Sequence, residues 1–337
     1  MNIKVKTSIV ICIAGILMLL TGCASESMEF TTAKTALRSE KDFARAEIWF
    51  KKALIADSLN ALVPYTYGTE ILKPQKRYRE MAKMLEEAIN RNPQQKLETP
   101  FIWENKAMLT ISDGVQAYRE QEWTNAYNQG VDYFQQEEID QAIESLEISI
   151  IIYPEEGNSY ATLGAIYLNH KDFENAGRIL KSGLKITPDN IMVLQVSADH
   201  AIKTDNFHYA ETILVKALEL SKDVGPILRQ LIIVQIDLEK FESAIEYSMQ
   251  AIRDYPNDPD IYYNVAVLYQ KMGRNKFDPA RKQYLKITQM DEKDNVILNN
   301  IINDFKASRK YFMESKDYFL TVTDLNPEDN VSLNAVR

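Results

Sequence analysis

Small and aromatic residues return along this chain at a fixed interval. Ala142, Ala176, Ala210 and Ala244 are 34 residues apart, and three positions before them stand Ile139, Phe173, Phe207 and Phe241. Pro154 and Pro188 keep the same interval, and Pro256 follows Pro188 after two of them. Three features held in phase set this pattern apart from a helical bundle with coincidental alanine spacing. Used as a ruler, the aromatic-x-x-small pair marks eight candidate units, starting at Phe43, Tyr78, Ile139, Phe173, Phe207, Phe241, Phe277 and Phe312. In five of them a proline lies 15 residues after the start: Pro93, Pro154, Pro188, Pro256 and Pro327. Proline cannot donate the helical hydrogen bond and pushes the preceding residue out of α geometry, so it ends the second helix of a unit. The Asp and Asn beside these prolines, as in Pro188-Asp189-Asn190, can cap the helix that follows.

The clearest unit runs from Gly157 to Asn190, with Tyr160, Leu163, Gly164 and Tyr167 on a first helix, Ala176, Leu180 and Gly183 on a second, and Pro188 at the closing turn. Period and residue pattern resemble the tetratricopeptide repeat, a helix-turn-helix unit with a W-x-x-L-G-x-x-Y, A-x-x-x-F, A, P signature. The resemblance implies an all-α fold, a helical solenoid of about eight helix-turn-helix units. No unit buries its apolar face alone, so stability comes from stacking. Gly130 and Gly164 are expected to let the two helices of a unit approach at Ala142 and Ala176.

Two irregularities interrupt the array. The step from Tyr78 to Ile139 is 61 residues, 27 more than one period. Thr99-Pro100 reads there as a helix start, and Phe101, Ile102, Trp103, Met108, Leu109, Val115 and Tyr118 as its apolar positions, with a break at Asp113-Gly114. An extra or lengthened helix is therefore expected after the second unit. A second insertion, Gly273-Arg274-Asn275-Lys276, is expected to enlarge the turn before Phe277. The organisation that follows is a signal peptide over 1–22, a tether over 23–33, a repeat pair over 34–93, the inserted or extended helix over 94–122, a second repeat array over 123–327 and a tail over 328–337.

The N-terminus reads separately. Lys4 and Lys6 precede an uncharged apolar run from Ser8 to Leu20, shorter than the ~20 residues of a membrane span and suited to the h-region of a signal peptide. It ends in Leu20-Thr21-Gly22-Cys23, which resembles the lipobox of bacterial lipoproteins. That resemblance implies a diacylglycerol on the Cys23 thiol, cleavage before Cys23, and a body held on a bilayer by its acyl chains. Ala24, being other than Asp, implies the outer membrane of a two-membrane bacterium. The alternative is an ordinary signal peptide or an uncleaved anchor in which Cys23 is incidental.

Composition narrows the chemistry. The chain has 337 residues, 45% hydrophobic and 26% charged, which is a globular composition. Its 2 Cys and 3 His exclude a disulfide framework and disfavour a metal centre built on His. The net charge of −9 becomes −11 once Lys4 and Lys6 are removed, and an acidic surface repels nucleic acid and anionic head groups. There is no phosphate-binding Gly loop, H-E-x-x-H, C-x-x-C or nucleophile elbow. Gly157-Asn158-Ser159-Tyr160-Ala161 echoes an elbow but opens a helix without a strand before it. No catalytic residue, metal site or cofactor is expected, apart from the covalent lipid on Cys23.

The functional surface of such a solenoid is its concave face, lined by first helices. Positions 2, 5 and 9 of successive first helices are Thr124, Tyr127 and Val131, then Asn158, Ala161 and Ala165, then Met192, Gln195 and Asp199, then Pro226, Arg229 and Ile233, and finally Asp260, Tyr263 and Val267. Of these, Tyr127, Asn158, Gln195, Asp199, Arg229 and Tyr263 are the candidate binding residues. The Lys, Asn and Arg set of the carboxylate clamp found in chaperone-binding members of the family is absent. Exposed Tyr127 and Tyr263 are the expected anchors, because an aromatic supplies contact area at small entropic cost. The expectation is a non-catalytic, lipid-anchored scaffold in the bacterial envelope that binds an envelope protein or peptide and no nucleic acid. Two alternatives stay open: an oligomerisation or assembly factor resembling pilotins, in which end repeats pair with a second copy, and an enzyme or solute-binding protein.

Overall fold

A computed structural model describes residues 26–289 and 294–336. The segment read as a signal peptide, with Cys12, and Cys23 lie outside them. The described residues are almost entirely helical and form two compact units, the first ending at Pro154 and the second beginning at Glu155. Each is a stack of helix-turn-helix pairs, as the solenoid reading requires. No helix among the described residues is long and apolar enough to cross a membrane.

In the first unit, α1 (Met28–Arg38) pairs with α2 (Phe43–Ala56), and α3 (Leu62–Thr66), which continues as a π-helical segment over Tyr67–Leu72, pairs with α4 (Tyr78–Arg91). A hairpin of β1 (Lys96–Trp103) and β2 (Lys106–Thr110) follows, and then α5 (Ile111–Gln135) and α6 (Ile139–Ile152). Phe30, Phe50, Ile71, Leu72, Met81, Leu85 and Ile111 form the fully buried centre of this unit. The second unit contains α7 (Gly157–Asn169), α8 (Phe173–Ile186), α9 (Ile191–Lys203), α10 (Phe207–Leu220), α11 (Gly225–Asp237), α12 (Phe241–Asp254), α13 (Pro259–Ile287), α14 (Asn295–Leu325) and the short α15 (Asn330–Val336).

The turn inside a pair repeats as faithfully as the helices. Lys41, Lys76, Glu137, Lys171, Asp205 and Glu239, each two residues before a unit's start position, have φ between 55° and 61°. In five of the six the chain closes a Schellman motif, with Arg77, Glu138, Asp172, Asn206 and Lys240 donating their backbone N–H to Leu72, Tyr133, Tyr167, Ala201 and Gln235 at 2.8–3.0 Å. None of the six is glycine, so each accepts the steric cost of the left-handed region to satisfy helix-end carbonyls.

Close approach of paired helices occurs at the expected glycines: an added Cβ on Gly130 would lie 3.3 Å from the carbonyl oxygen of the expected partner Ala142, while in both pairs the tightest contact is with a leucine one turn further on. A Cβ on Gly130 would lie 2.7 Å from Leu146 Cγ, and one on Gly164 would lie 2.6 Å from Leu180 Cδ2. Leucine, four residues after each repeat alanine, fills the groove that glycine opens, while Ala142 and Ala176 are fully buried beside it. One and two periods after Gly164 the position holds Ala198 and Ile232, and the position of Leu180 becomes Leu214 and Ser248. The largest residue thus stands in the period that carries the smallest partner.

Two expectations are corrected. Residues 96–110 are a hairpin instead of the start of a helix. Leu97, Phe101 and Trp103 alternate with more exposed residues, which is strand periodicity. Glu104 and Asn105, with φ of 46° and 63°, make the two-residue turn between Trp103 and Lys106. Pro100, read as a first helical residue, sits in the pairing irregularity between Lys96 and Phe101, where no ladder donor is needed. The lengthened helix is present as α5 and starts at a capping box: the Thr110 hydroxyl accepts the Asp113 N–H at 3.2 Å, and Asp113 Oδ2 accepts the Thr110 N–H at 2.9 Å. Asp113-Gly114 is therefore first turn and not a break. Gly114 is needed because a Cβ would fall 2.5 Å from Tyr65 Oη.

The second correction concerns the starts at Phe277 and Phe312, which lie inside α13 and α14. Gly273-Arg274-Asn275-Lys276 is helical, and a Cβ on Gly273 would lie 2.8 Å from Phe312 Cε1. Glycine here permits close helix packing instead of a turn. An antiparallel aromatic seam joins the two long helices: Tyr263–Phe319 at 5.7 Å, Tyr269–Tyr318 at 5.5 Å and Phe277–Phe305 at 5.5 Å between ring centres.

Candidate functional site

The second unit contains a concave cleft of about 550 Å³ lined by Gln195, Val196, Asp199, Pro226, Arg229, Gln230, Ile233, Asp260, Tyr263 and Asn264. Three successive first helices, α9, α11 and α13, supply these residues. The 34-residue period explains the convergence: Gln195, Arg229 and Tyr263 occupy one repeat position, and Val196, Gln230 and Asn264 the next. On a helix, a position, its neighbour and the residue four further on share a face, so position 9 contributes Asp199 and Ile233.

Local interactions orient the lining. The Arg229 guanidinium is ion-paired to Asp258, and Asp258 also caps α13 by accepting the Asp260 N–H at 3.0 Å. Arg229 therefore ties α11 to the start of α13 while its stem lines the cleft. Asn264 donates to the Arg229 carbonyl at 3.5 Å. Tyr263 packs edge-on against Phe319, at 72° between ring planes. The cleft holds the carboxylates Asp199 and Asp260, three side-chain amides and one phenol, with Pro226, Ile233 and Val196 as apolar floor. Such a lining offers hydrogen-bond donors and acceptors beside an apolar floor.

Of the six groove residues read from sequence, Gln195, Asp199, Arg229 and Tyr263 meet in this cleft. Tyr127 lies in the first unit, half-buried and stacked on Trp123 at 5.2 Å, one turn along the same helix. Asn158, at the start of α7, accepts the Asn190 side-chain amide at 3.3 Å. Gln230, Asn264 and Val196 were missed because positions 2, 5 and 9 skip position 6; the full helical face includes it. The first unit has a cavity of its own, about 260 Å³, walled by Tyr65, Tyr118, Arg38, Glu70 and the hairpin residues Glu98 and Phe101. Glu98 pairs with Lys34 and Arg38, tying hairpin to α1, and these bonds hold its carboxyl below the usual range against the opposing effect of burial. His200 faces the Phe173 carbonyl at 3.0 Å. Among the described residues no group of three or more His, Cys, Asp or Glu is placed to hold a metal.

Two family models match within the second unit, both described as tetratricopeptide repeat: one over 157–190 and the other over 247–276. Tetratricopeptide repeats are thus found at these two places in the chain. The first match coincides with the unit read from Gly157 to Asn190. Matches to solved structures include PilF of Pseudomonas aeruginosa (20% identity, TM-score 0.43, covering 64% of this chain and 97% of that one). They also include the protein MamA (15%, 0.41, 59% and 96%) and a tetratricopeptide repeat protein from Parabacteroides merdae (11%, 0.41, 92% and 98%). No curated protein sequence matches the chain. The tetratricopeptide assignment rests on the two repeat matches and on the paired helices, and repeats of this kind are scaffolds for protein–protein interaction.

Proposed function

We propose that this protein is a non-catalytic adaptor, held on the bacterial envelope by a lipid on Cys23, which binds a protein or peptide partner along the cleft of its second unit. The observation that carries the reading is the convergence of Gln195, Asp199, Arg229 and Tyr263 from three consecutive repeats onto one concave surface. A solenoid binds through such a surface because each repeat adds a similar strip of contacts to the next. The polar lining orients a main chain, and Tyr263, half-buried and braced by Phe319, is a rigid aromatic anchor that loses little freedom on binding. The anchor reading is supported by the charged start, apolar run and Leu20-Thr21-Gly22-Cys23 of the sequence. A tether raises the effective concentration of adaptor at the membrane, so a modest cleft affinity suffices there.

A photo-crosslinking residue placed at Gln195 in whole cells should capture a discrete partner, and one at Lys185, exposed on a second helix, should not. Loss of that capture in Tyr263→Ala is the expected companion result; identical capture at both sites would remove the cleft assignment. For the anchor, labelled fatty acid should enter the wild-type protein and not Cys23→Ser. Equal labelling of both would remove the lipid.

A further inference from the structure

The last two long helices carry a second surface with different chemistry. Between Lys271 and Lys316 the chain holds eleven Lys and Arg against six Asp and Glu, in a protein whose net charge is −9. The acidic total therefore conceals a basic segment. Phe305, Ser308, Arg309, Phe312, Met313 and Lys316 follow one another at three- and four-residue steps on α14, and with Phe277 of α13 they line a cavity of about 430 Å³. Phe277 lies 5.5 Å from Phe305 and 6.5 Å from Phe312 between ring centres, so the floor is aromatic. Met313 is 57% exposed at its edge. Arg309 and Lys316 border it from α14, and on α13 Arg274 and Arg281, exposed residues three before and four after Phe277, share the face of that ring. At the floor, Ser308 is 1% exposed and its hydroxyl oxygen has no hydrogen-bond partner among the described residues.

We propose that this cavity is a docking site for an acidic peptide segment of a partner protein, one bulky apolar side chain entering between Phe277, Phe305 and Phe312 while flanking carboxylates meet Arg309, Lys316 and Arg281. Three features favour that occupant. Arg309 and Lys316 line an apolar hollow, and Arg274 and Arg281 stand at helical spacing on the Phe277 face of the facing helix, a pattern that complements a ligand that is apolar at its centre and anionic at its edges. The hollow is a concavity in the size range of ligand clefts, roomy enough to admit a bulky side chain, whereas a bilayer surface would meet protruding apolar groups. The buried Ser308 hydroxyl can bond a polar group that enters with the peptide. The site shares no residue with the cleft and stands or falls separately from it.

The test uses the full-length protein and a fluorescein-labelled peptide with a central Phe-Leu pair flanked by glutamates, read by fluorescence anisotropy. Binding is expected and should weaken with added salt. Replacing the glutamates by lysines, or Phe-Leu by Ser-Ser, should weaken it roughly tenfold or more. Arg309→Glu/Lys316→Glu and Met313→Asp should do the same. All three side chains are exposed, so an unchanged far-ultraviolet circular dichroism spectrum is expected, and Lys185→Glu serves as the charge control. Equal affinity for the lysine peptide, or affinity untouched by these variants, would overturn the proposal. So would variants that leave peptide binding intact while abolishing sedimentation with phosphatidylglycerol vesicles or self-association in light scattering, since the face would then belong to a membrane or to a second copy.

Discussion

Glycine to alanine inside a helix is normally stabilising, and Gly164 is a place where the opposite sign is expected. Propensity alone favours alanine by about 1 kcal/mol. A Cβ at Gly164, however, would lie 2.6, 2.8 and 3.3 Å from Leu180 Cδ2, Cγ and Cδ1, so the whole end of a side chain only 2% exposed must move. Overpacking of that kind costs about 1–3 kcal/mol, which leaves Gly164→Ala destabilising by roughly 0–2 kcal/mol once propensity is subtracted. Leu180→Ala removes all three clashing atoms and by itself should cost about 2–5 kcal/mol. In that background Gly164→Ala should turn stabilising by about 1 kcal/mol, because only propensity remains. The assay is urea denaturation of the four proteins of the cycle, followed by far-ultraviolet circular dichroism. Tryptophan fluorescence supplies an internal control, since Trp49, Trp103 and Trp123 all lie in the first unit. Stabilisation of the otherwise wild-type protein by Gly164→Ala, or the same effect in both backgrounds, would refute the packing argument.

Lys171, exposed with φ of 59°, should yield about 1 kcal/mol of stability when replaced by glycine, which adopts that backbone without steric cost; thermal unfolding checks it, and a loss of stability would mean the turn is not limited by φ. At the hairpin, Glu104→Asn/Asn105→Gly should stabilise the first unit, because both turn residues have positive φ. Slower hydrogen exchange of the β1 and β2 amides is the readout. Thr110→Val should cost about 1 kcal/mol by removing the cap of α5. The Thr110 hydroxyl and the backbone N–H groups of Leu109 and Thr110 hold the Asp113 carboxyl below its usual range. Its contribution is thus present above the unfolded pKa, near 4, and is lost as pH falls through the lower folded value. Asp113→Asn should therefore flatten stability against pH on the acid side of 4, and an unchanged acid limb in urea titrations would count against the capping box.

The repeat was legible in the sequence because every unit solves the same local problem. Ala142, Ala176, Ala210 and Ala244 each lie buried beside a neighbouring helix, and each turn meets the same carbonyl-capping requirement, so identical constraints recur at a constant interval. Four of the six groove residues were legible for the same reason: Gln195, Arg229 and Tyr263 share one repeat position, and periodicity brings them to one face. Tyr127 and Asn158 share that periodicity, yet Trp123 and Asn190 engage them locally, and a position number does not record which neighbours a side chain finds.

What tertiary structure decided depends on residues far apart in the chain. Phe101 and Trp103 make strand rather than helix because Phe101 packs on Tyr118 at 6.1 Å and the Trp103 indole reaches Glu120 at 3.3 Å, which outweighs the propensity of a short segment. The spacing of Phe277 and Phe312 read as two repeat starts, and the seam between α13 and α14 turned both into contacts of one long helix pair. The charge total pointed away from anionic ligands, and only the pairing of those helices set Phe277 beside Phe305, Phe312, Arg309 and Lys316 around a single apolar hollow. Local rules repeat and so leave a period in the sequence, whereas contacts made once leave none.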